Sequence, residues 1–542
     1  MGFLGRVLLA LLVAGCAAVS APPSTERPRL VVVLVVDGMP GWQVEGYRDQ
    51  LGADGLNRFL ERGAWFAEAH YGQALTLTGP GHATILTGAY PHRTGIVGNE
   101  WYDPESGELV YCAGDSGHAY LGHRTARLAG TSPRNLKAES LGDVLRRADA
   151  RSKAIAISGK DRGAILPAGR EGTAYMFMAQ TGQFASSTYY MKEHPAWVTA
   201  FNAAKPADRF FKASWTPLLP EMAYARSLPD GQPWYAPGGR LPKVMGEGHD
   251  APGPRFYASL SQSPFLDALT LDFARAAIRA EALGEDDAPD LLVVSLSSHD
   301  YVNHAWSAES RLSHDHVLQV DQLLGGFFRH LDRVVGPGRY LALLTADHGF
   351  MPAPEHSRAR GRDAGRLDLR EARARLEAGL AARFGEGRWV RQWHYEDILL
   401  DRALIAAKGL EPRVVHEEVR RLVQGEPGIA AAFTRAELAS DAPADSPLLA
   451  AARKSWDPER SPDILVLPKT WWMFGPTSSA TTHGSPHAYD SHVPLLLYGP
   501  PWVRAGRVDA RVEVADIAPT LASLLGIAPP ASAEGRPLPL PR

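Results

Sequence analysis

The run Leu30-Val31-Val32-Val33-Leu34-Val35-Val36, ending directly in Asp37-Gly38, constrains the fold of this chain more than any other feature. A strand solvated on one face alternates apolar and polar residues, whereas an unbroken β-branched run has no face to give to water. It suits a parallel sheet covered on both sides. The form recurs: Asp290 to Ser297 runs towards Asp300, Tyr340 to Thr345 towards Asp347, and Lys153 to Ser158 towards Lys160. Amphipathic stretches at Phe265 to Leu283 and His316 to Val335 lie between these runs. The expected architecture is therefore α/β, a doubly wound, mostly parallel sheet flanked by helices. Ligands in such folds bind outside the carboxyl ends of the strands. Polar residues follow each run at once, which groups them at one site.

Two stretches interrupt the alternation, at about 163–264 and 351–461, and read as cap insertions into one catalytic domain spanning 22–542. The second holds charged helical segments at Leu369 to Phe384 and Val414 to Val423. Asp463 to Leu467 and Val493 to Tyr498 are expected to return to the main sheet, Val514 to Leu525 to close the domain as an apolar helix, and the Pro/Ala-rich tail to be disordered. Residues 1–21 read as a targeting segment, with Arg6 before the apolar run Val7 to Val13, too short to span a bilayer. Val13-Ala14-Gly15-Cys16 resembles a lipobox, which would put a lipid anchor on Cys16; ordinary cleavage near Ala18 is the other reading. Either way the protein is expected to be exported, periplasmic or lipid-anchored to the envelope. With Cys16 lost or lipidated, Cys112 has no partner for an intramolecular disulfide. The net charge of -3 gives no general basic surface, so nucleic acid is not expected as a specific partner. An anionic ligand has to be held locally.

The strand ends supply Asp37, Asp300 with His304, and Asp347 with His348; a later loop supplies His483 in His-Gly-Ser-Pro-His. Singly, each acidic residue reads equally as a helix cap or turn former. Together they offer oxygen and nitrogen donors without thiolate, a set that suits catalytic zinc. Six groups exceed what one tetrahedral ion needs and fit two. Asp300 and His304 share a face if a helical turn begins there. Thr78, in Leu77-Thr78-Gly79-Pro80-Gly81-His82, stands where a helix running to about Leu86 begins. Its plain reading is an N-cap; its chemical reading is a nucleophile at an anion-binding helix end.

Taken in order, Asp37, Thr-Gly-Pro-Gly-His at Thr78, Asp-Tyr-Val-Asn-His at Asp300, Ala-Asp-His-Gly at Ala346 and His-Gly-Ser-Pro-His at His483 resemble the alkaline phosphatase superfamily. Gly98-Asn99-Glu100-Trp101-Tyr102 and Ser158-Gly159-Lys160-Asp161-Arg162 are most similar to its monoesterase branch, related to the nucleotide pyrophosphatase/phosphodiesterases. The resemblance spans about Leu30 to Leu525. It implies two Zn2+ ions, one on Asp300, His304 and His483 and the other on Asp37, Asp347, His348 and Thr78. Asn99, Lys160 and Arg162 would contact the phosphoryl oxygens, and Thr78 would become a phosphothreonine during hydrolysis of small phosphate monoesters. His487 and His492 compete with His483 for its place, and Lys160 and Arg162 read alternatively as a solvated pair after a strand. A phosphodiesterase on the same scaffold is the nearest rival. A sulfatase is disfavoured by the lack of an Arg after Thr78 in the C/S-x-P-x-R setting. From another class, a non-catalytic metal-binding envelope protein is the remaining alternative.

Overall fold

The computed structural model describes residues 27–475, 479–500 and 502–541. The targeting segment and Cys16 lie outside these residues; Cys112 is buried and free. Leu30–Val36 forms a strand with all seven side chains buried. It pairs in parallel with Asp290–Leu296 on one side and Tyr340–Thr345 on the other, Leu30 lying opposite both Asp290 and Tyr340. The three strands therefore end nearly level. Ala154–Ser158 and Thr173–Met178 continue the sheet in parallel beyond Asp290–Leu296, and Gln183–Ala185 closes that edge antiparallel. On the other side come Leu495–Tyr498 and Ala64–His70, the latter flanked also by His492–Val493 and Gly506–Glu513. Among the described residues this is one ten-stranded sheet, mixed and mostly parallel.

Helices cover the sheet in two groups. Pro264–Ala280 packs with Arg311–Val334, while Thr78–Thr87 packs with Asp161–Ala168 and Ile517–Leu525. All ten residues of Thr78–Thr87 are buried. This explains the even apolar and small composition of that segment, which leaves no polar face for solvent.

Three sequence expectations need correction. Ile464–Pro468 does not rejoin the main sheet: it pairs with Ile429–Thr434 and Asp397–Leu400 in a separate four-stranded sheet with Val390–His394. That sheet and the helices Leu369–Phe384 and Pro412–Gln424 enclose their own core around Trp389, Val415 and Val466. A short apolar run has the same sequence signature in either sheet, because periodicity reports burial and not partner. Secondly, Thr173–Met178 and Gln183–Ala185 belong to the main sheet, so the first cap starts after Ala185 rather than near 163. Thirdly, the tail is ordered along the domain surface: Glu534 N donates to Gly88 O at 2.8 Å, Leu538 N donates to Thr520 Oγ1 at 2.8 Å, and Leu538 is buried.

Candidate active site

Asp37 leaves its strand fully buried and is followed by Gly38 at φ +71°, where a side chain would press on Phe350 and the Asp300 backbone. Only glycine takes that conformation without strain so close to a second chain segment. Gly38 N donates to Asp347 Oδ1 at 2.9 Å, and Asn303 Nδ2 donates to Gly38 O at 3.0 Å. The three strand ends are thus cross-tied. Asp300 and His304 lie one turn apart on the helix Ser298–Trp306, with His304 Nε2 3.3 Å from Asp300 Oδ1. His483 Nε2 reaches the same oxygen at 3.5 Å from a loop remote in sequence.

Each of the three imidazoles is held by its other nitrogen on a backbone carbonyl. His304 Nδ1 meets Thr481 O at 3.0 Å, His483 Nδ1 meets Thr76 O at 2.8 Å and His348 Nδ1 meets Gly349 O at 2.9 Å. A carbonyl only accepts, so each Nδ1 carries the proton and each Nε2 turns a lone pair towards the carboxylates. This is how protein scaffolds prepare imidazoles for a metal. Asp37 Oδ1, Asp300 Oδ1 and Asp347 Oδ2 are buried without a hydrogen-bond partner, which suits oxygens meant for an ion.

Asp300, His304 and His483 form one candidate ligand set, and Asp37, Asp300 and His348 another. Asp347 adjoins the second, its Oδ2 3.5 Å from His348 Nε2, which is 3.7 Å from Asp37 Oδ1. Burial, and then the neighbouring Asp347 charge, push the Asp37 carboxyl well above its usual range. Burial opposes the charge of Asp300 too, but Lys160 and then the imidazoles of His304 and His483 outweigh it and hold this carboxyl well below that range. Burial and the adjacent His348 push His483 well down, and burial lowers His348, so both rings are neutral at neutral pH, the form a metal would need.

Thr78 is the first helical residue rather than the cap; Leu77 occupies the cap in an extended conformation. The Thr78 hydroxyl lies 3.4 Å from His348 Nε2 and 3.5 Å from Arg162 Nη2. Gly81 has to be glycine, since a Cβ there would stand 2.2 Å from Asp347 O. Asn99 Oδ1 accepts from Gly79 N at 2.7 Å, which leaves its amide nitrogen as the group to donate elsewhere. Lys160 stands differently from Arg162: its Nζ lies 2.8 Å from Asp37 Oδ2 and 2.6 Å from Asp300 Oδ2, bridging the two carboxylates. Neither is a solvated surface pair.

Several participants escaped the sequence reading. His82 is fully buried, with Nδ1 2.9 Å from Thr78 O and 3.2 Å from Asp347 Oδ2, and Nε2 2.9 Å from Ser295 Oγ. Its Nδ1 proton goes to the Thr78 carbonyl, which ties the ring to the first turn of the helix Thr78–Thr87 beside Asp347. Its place four residues after Thr78 was the available signal. Tyr111 braces Arg162 Nη1 at 3.3 Å. A cavity of about 290 Å³ opens beside Asn99, His304 and His483 and is walled by His394, Glu396 and Asp397 of the second lobe. Of the competing histidines, His487 Nε2 bonds Pro468 O at 2.8 Å and His492 Nε2 bonds Ala67 O at 2.8 Å, both away from these ligands.

Comparison with known proteins agrees with this geometry. Residues 31–490 match the family model of type I phosphodiesterase / nucleotide pyrophosphatase. The alkaline phosphatase PafA of Elizabethkingia meningoseptica is 33% identical over 97% of both chains. A Myroides odoratus protein named as a calcium-transporting ATPase is 32% identical over 99% of both, and the alkaline phosphatase PhoV of Synechococcus elongatus is 33% identical over 95% of this chain and 93% of its own. The crystal structure of PafA superimposes with a TM-score of 0.87, covering 95% of this chain and 99% of PafA. A PafA variant with a threonine, an asparagine, a lysine and an arginine replaced superimposes equally, at 0.87.

Proposed function

This chain belongs to the type I phosphodiesterase / nucleotide pyrophosphatase family and is a phosphatase enzyme, and from that premise we propose that it hydrolyses phosphate monoesters with metal help through a phosphothreonine intermediate. The observation that carries the proposal is the Thr78 hydroxyl lying between His348 Nε2 and Arg162, beside three imidazoles whose Nε2 lone pairs face partnerless carboxylate oxygens. Asp300, His304 and His483 would hold one divalent ion and Asp37, Asp347 and His348 the other; the donor set fits zinc. Bound there, such ions supply Lewis acidity that favours the alkoxide forms of the attacking and leaving oxygens.

The chain's own groups do the rest. Thr78 Oγ attacks phosphorus in line, losing its proton, and the P–O bond to the leaving alcohol breaks, the alcohol taking a proton. Water then cleaves the P–O bond to Thr78 and phosphate departs. The Arg162 guanidinium beside Thr78 presents paired donors to equatorial phosphoryl oxygens, and the Asn99 amide nitrogen supplies another. A diester has one charged oxygen fewer for Arg162 to meet, which sets this residue against the phosphodiesterase reading. The replaced threonine, asparagine, lysine and arginine of the PafA variant are the residue types at Thr78, Asn99, Lys160 and Arg162. The name of the Myroides relative makes nucleoside triphosphates worth assaying beside simple monoesters. Export, with Cys16 as a candidate anchor, completes the proposal on the strength of the N-terminal pattern.

Thr78→Ala tests it. Turnover is expected to vanish while metal content and the thermal unfolding midpoint stay near those of the unmodified protein. Near-normal phosphate release by a folded, metal-loaded Thr78→Ala protein removes the nucleophile assignment, whereas no release from an aryl phosphate by the metal-loaded unmodified protein would favour the non-catalytic alternative.

A further inference from the structure

At the outer end of the main sheet, beyond Leu495–Tyr498, Ala64–His70 is paired antiparallel with His492–Val493, and His70 stands directly opposite His492. Glu68 is two residues before His70, so the pleat puts its side chain on the same face. One donor atom from each of Glu68, His70 and His492 lies within 4.8 Å of the others. His70 Nε2 and Glu68 Oε2 are 3.1 Å apart. Two ligands each about 2.1 Å from zinc at a tetrahedral angle are separated by about 3.4 Å, so this pair already has nearly the right bite.

The His492 ring is fixed in advance. Its Nε2 donates to Ala67 O at 2.8 Å, and the absence of a side chain at Gly41 lets the imidazole lie flat on the backbone, where a Cβ would stand 2.9 Å from it. The proton on Nε2 leaves Nδ1 as a lone pair, and the ring stacks on His70 with centroids 4.8 Å apart. Burial, the largest influence on His70, lowers its proton affinity, which favours the neutral ligand form. Arg511 pairs across from Glu68 and opposes a cation, but it is exposed and its charge is screened.

We propose that Glu68, His70 and His492 bind a zinc ion of their own, distinct from the catalytic centre, with water in the fourth position. The set has two nitrogens and one carboxylate, a zinc-like donor combination, and the exposed Glu68 leaves an entry path. The ion ties the short strand His492–Val493 to the sheet. That strand follows the segment in which Asp490 O and Tyr489 O accept from Gly349 N and Phe350 N, so the staple anchors the foot of the loop that carries His483.

The test is zinc content of the whole protein, dialysed at buffered free zinc and measured by mass spectrometry. The unmodified protein is expected to hold one more equivalent than His70→Gln/His492→Asn. Its thermal midpoint should also rise with zinc over a range that leaves the double variant unaffected. Glu68→Gln alters an exposed side chain with little risk to folding, and decides the matter if the double variant fails to fold. It should weaken the additional equivalent at least about tenfold. Equal zinc content in the unmodified and Glu68→Gln proteins across the titration overturns the proposal, as does an additional equivalent that survives the double substitution.

Discussion

Replacing Arg162 by Ala is expected to separate monoester from diester hydrolysis. The guanidinium is in place before substrate arrives: Nη1 donates to Tyr111 OH at 3.3 Å, Tyr111 OH donates to Asp161 Oδ1 at 2.5 Å, and Nη2 stands 3.5 Å from the Thr78 oxygen. Because the donor is already ordered, most of a charge-assisted hydrogen bond to the phosphoryl group appears as transition-state stabilisation. Losing one such bond costs about 1.5–3 kcal/mol, which at 1.36 kcal/mol per decade is roughly a 10- to 150-fold fall in monoester kcat/KM. A diester esterifies one of the oxygens that carry the extra charge, so its kcat/KM should change by less than about threefold. The assay compares an aryl phosphate with the methyl ester of the same aryl phosphate, so that the leaving group is common to both. Metal content is measured in the same samples. Arg162→Lys, which keeps the charge but not the planar fork, should recover part of the loss. Parallel losses on both substrates at unchanged metal content would refute the reasoning, as would diester activity that already dominates in the unmodified protein.

Lys160 should behave oppositely towards substrate and metal. Its ammonium lies between Asp37 and Asp300, so Lys160→Ala should lower monoester turnover yet tighten divalent-metal binding by removing a competing cation, and should destabilise the metal-free protein by on the order of 3 kcal/mol. Metal titration and denaturant unfolding of the metal-free form check both signs. His483→Ala should lower metal content as well as rate, whereas His487→Ala should leave metal content intact; mass spectrometry of the two variants distinguishes them. Acid should destabilise the fold through its buried histidines. Burial holds His299 down to about 3 and His314 down to about 4, while the unfolded chain takes up protons near 6.5, so unfolding binds protons and stability falls as pH drops below 6.5. His314→Gln should flatten that fall by up to about 1.4 kcal/mol per pH unit, read from unfolding midpoints between pH 7 and 5.

The strand core, and which polar side chains gather at the carboxyl edge of the sheet, were legible from the sequence alone. Leu30–Val36, Asp290–Leu296 and Tyr340–Thr345 are unbroken apolar runs because two-sided burial allows nothing else, and the polar residue after each run is the sheet's reactive edge. Local chemistry could not say where Ile464–Pro468 pairs, since an apolar pentapeptide reads alike in the main sheet and in the second lobe, or that Leu538 is buried against the domain. Nor could it place the hydroxyl of Thr78 beside His348 and Arg162, both remote in sequence. The tautomers of His304, His348 and His483 are set by carbonyls brought from Thr481, Gly349 and Thr76, two of them distant in sequence from the ring they hold. The ammonium of Lys160 lies between Asp37 and Asp300 because three parallel strands end at one level, and only that closure puts the three charges within bonding distance. Residue type fixes what a group can donate or accept; the packing of remote segments fixes which partner is there to receive it.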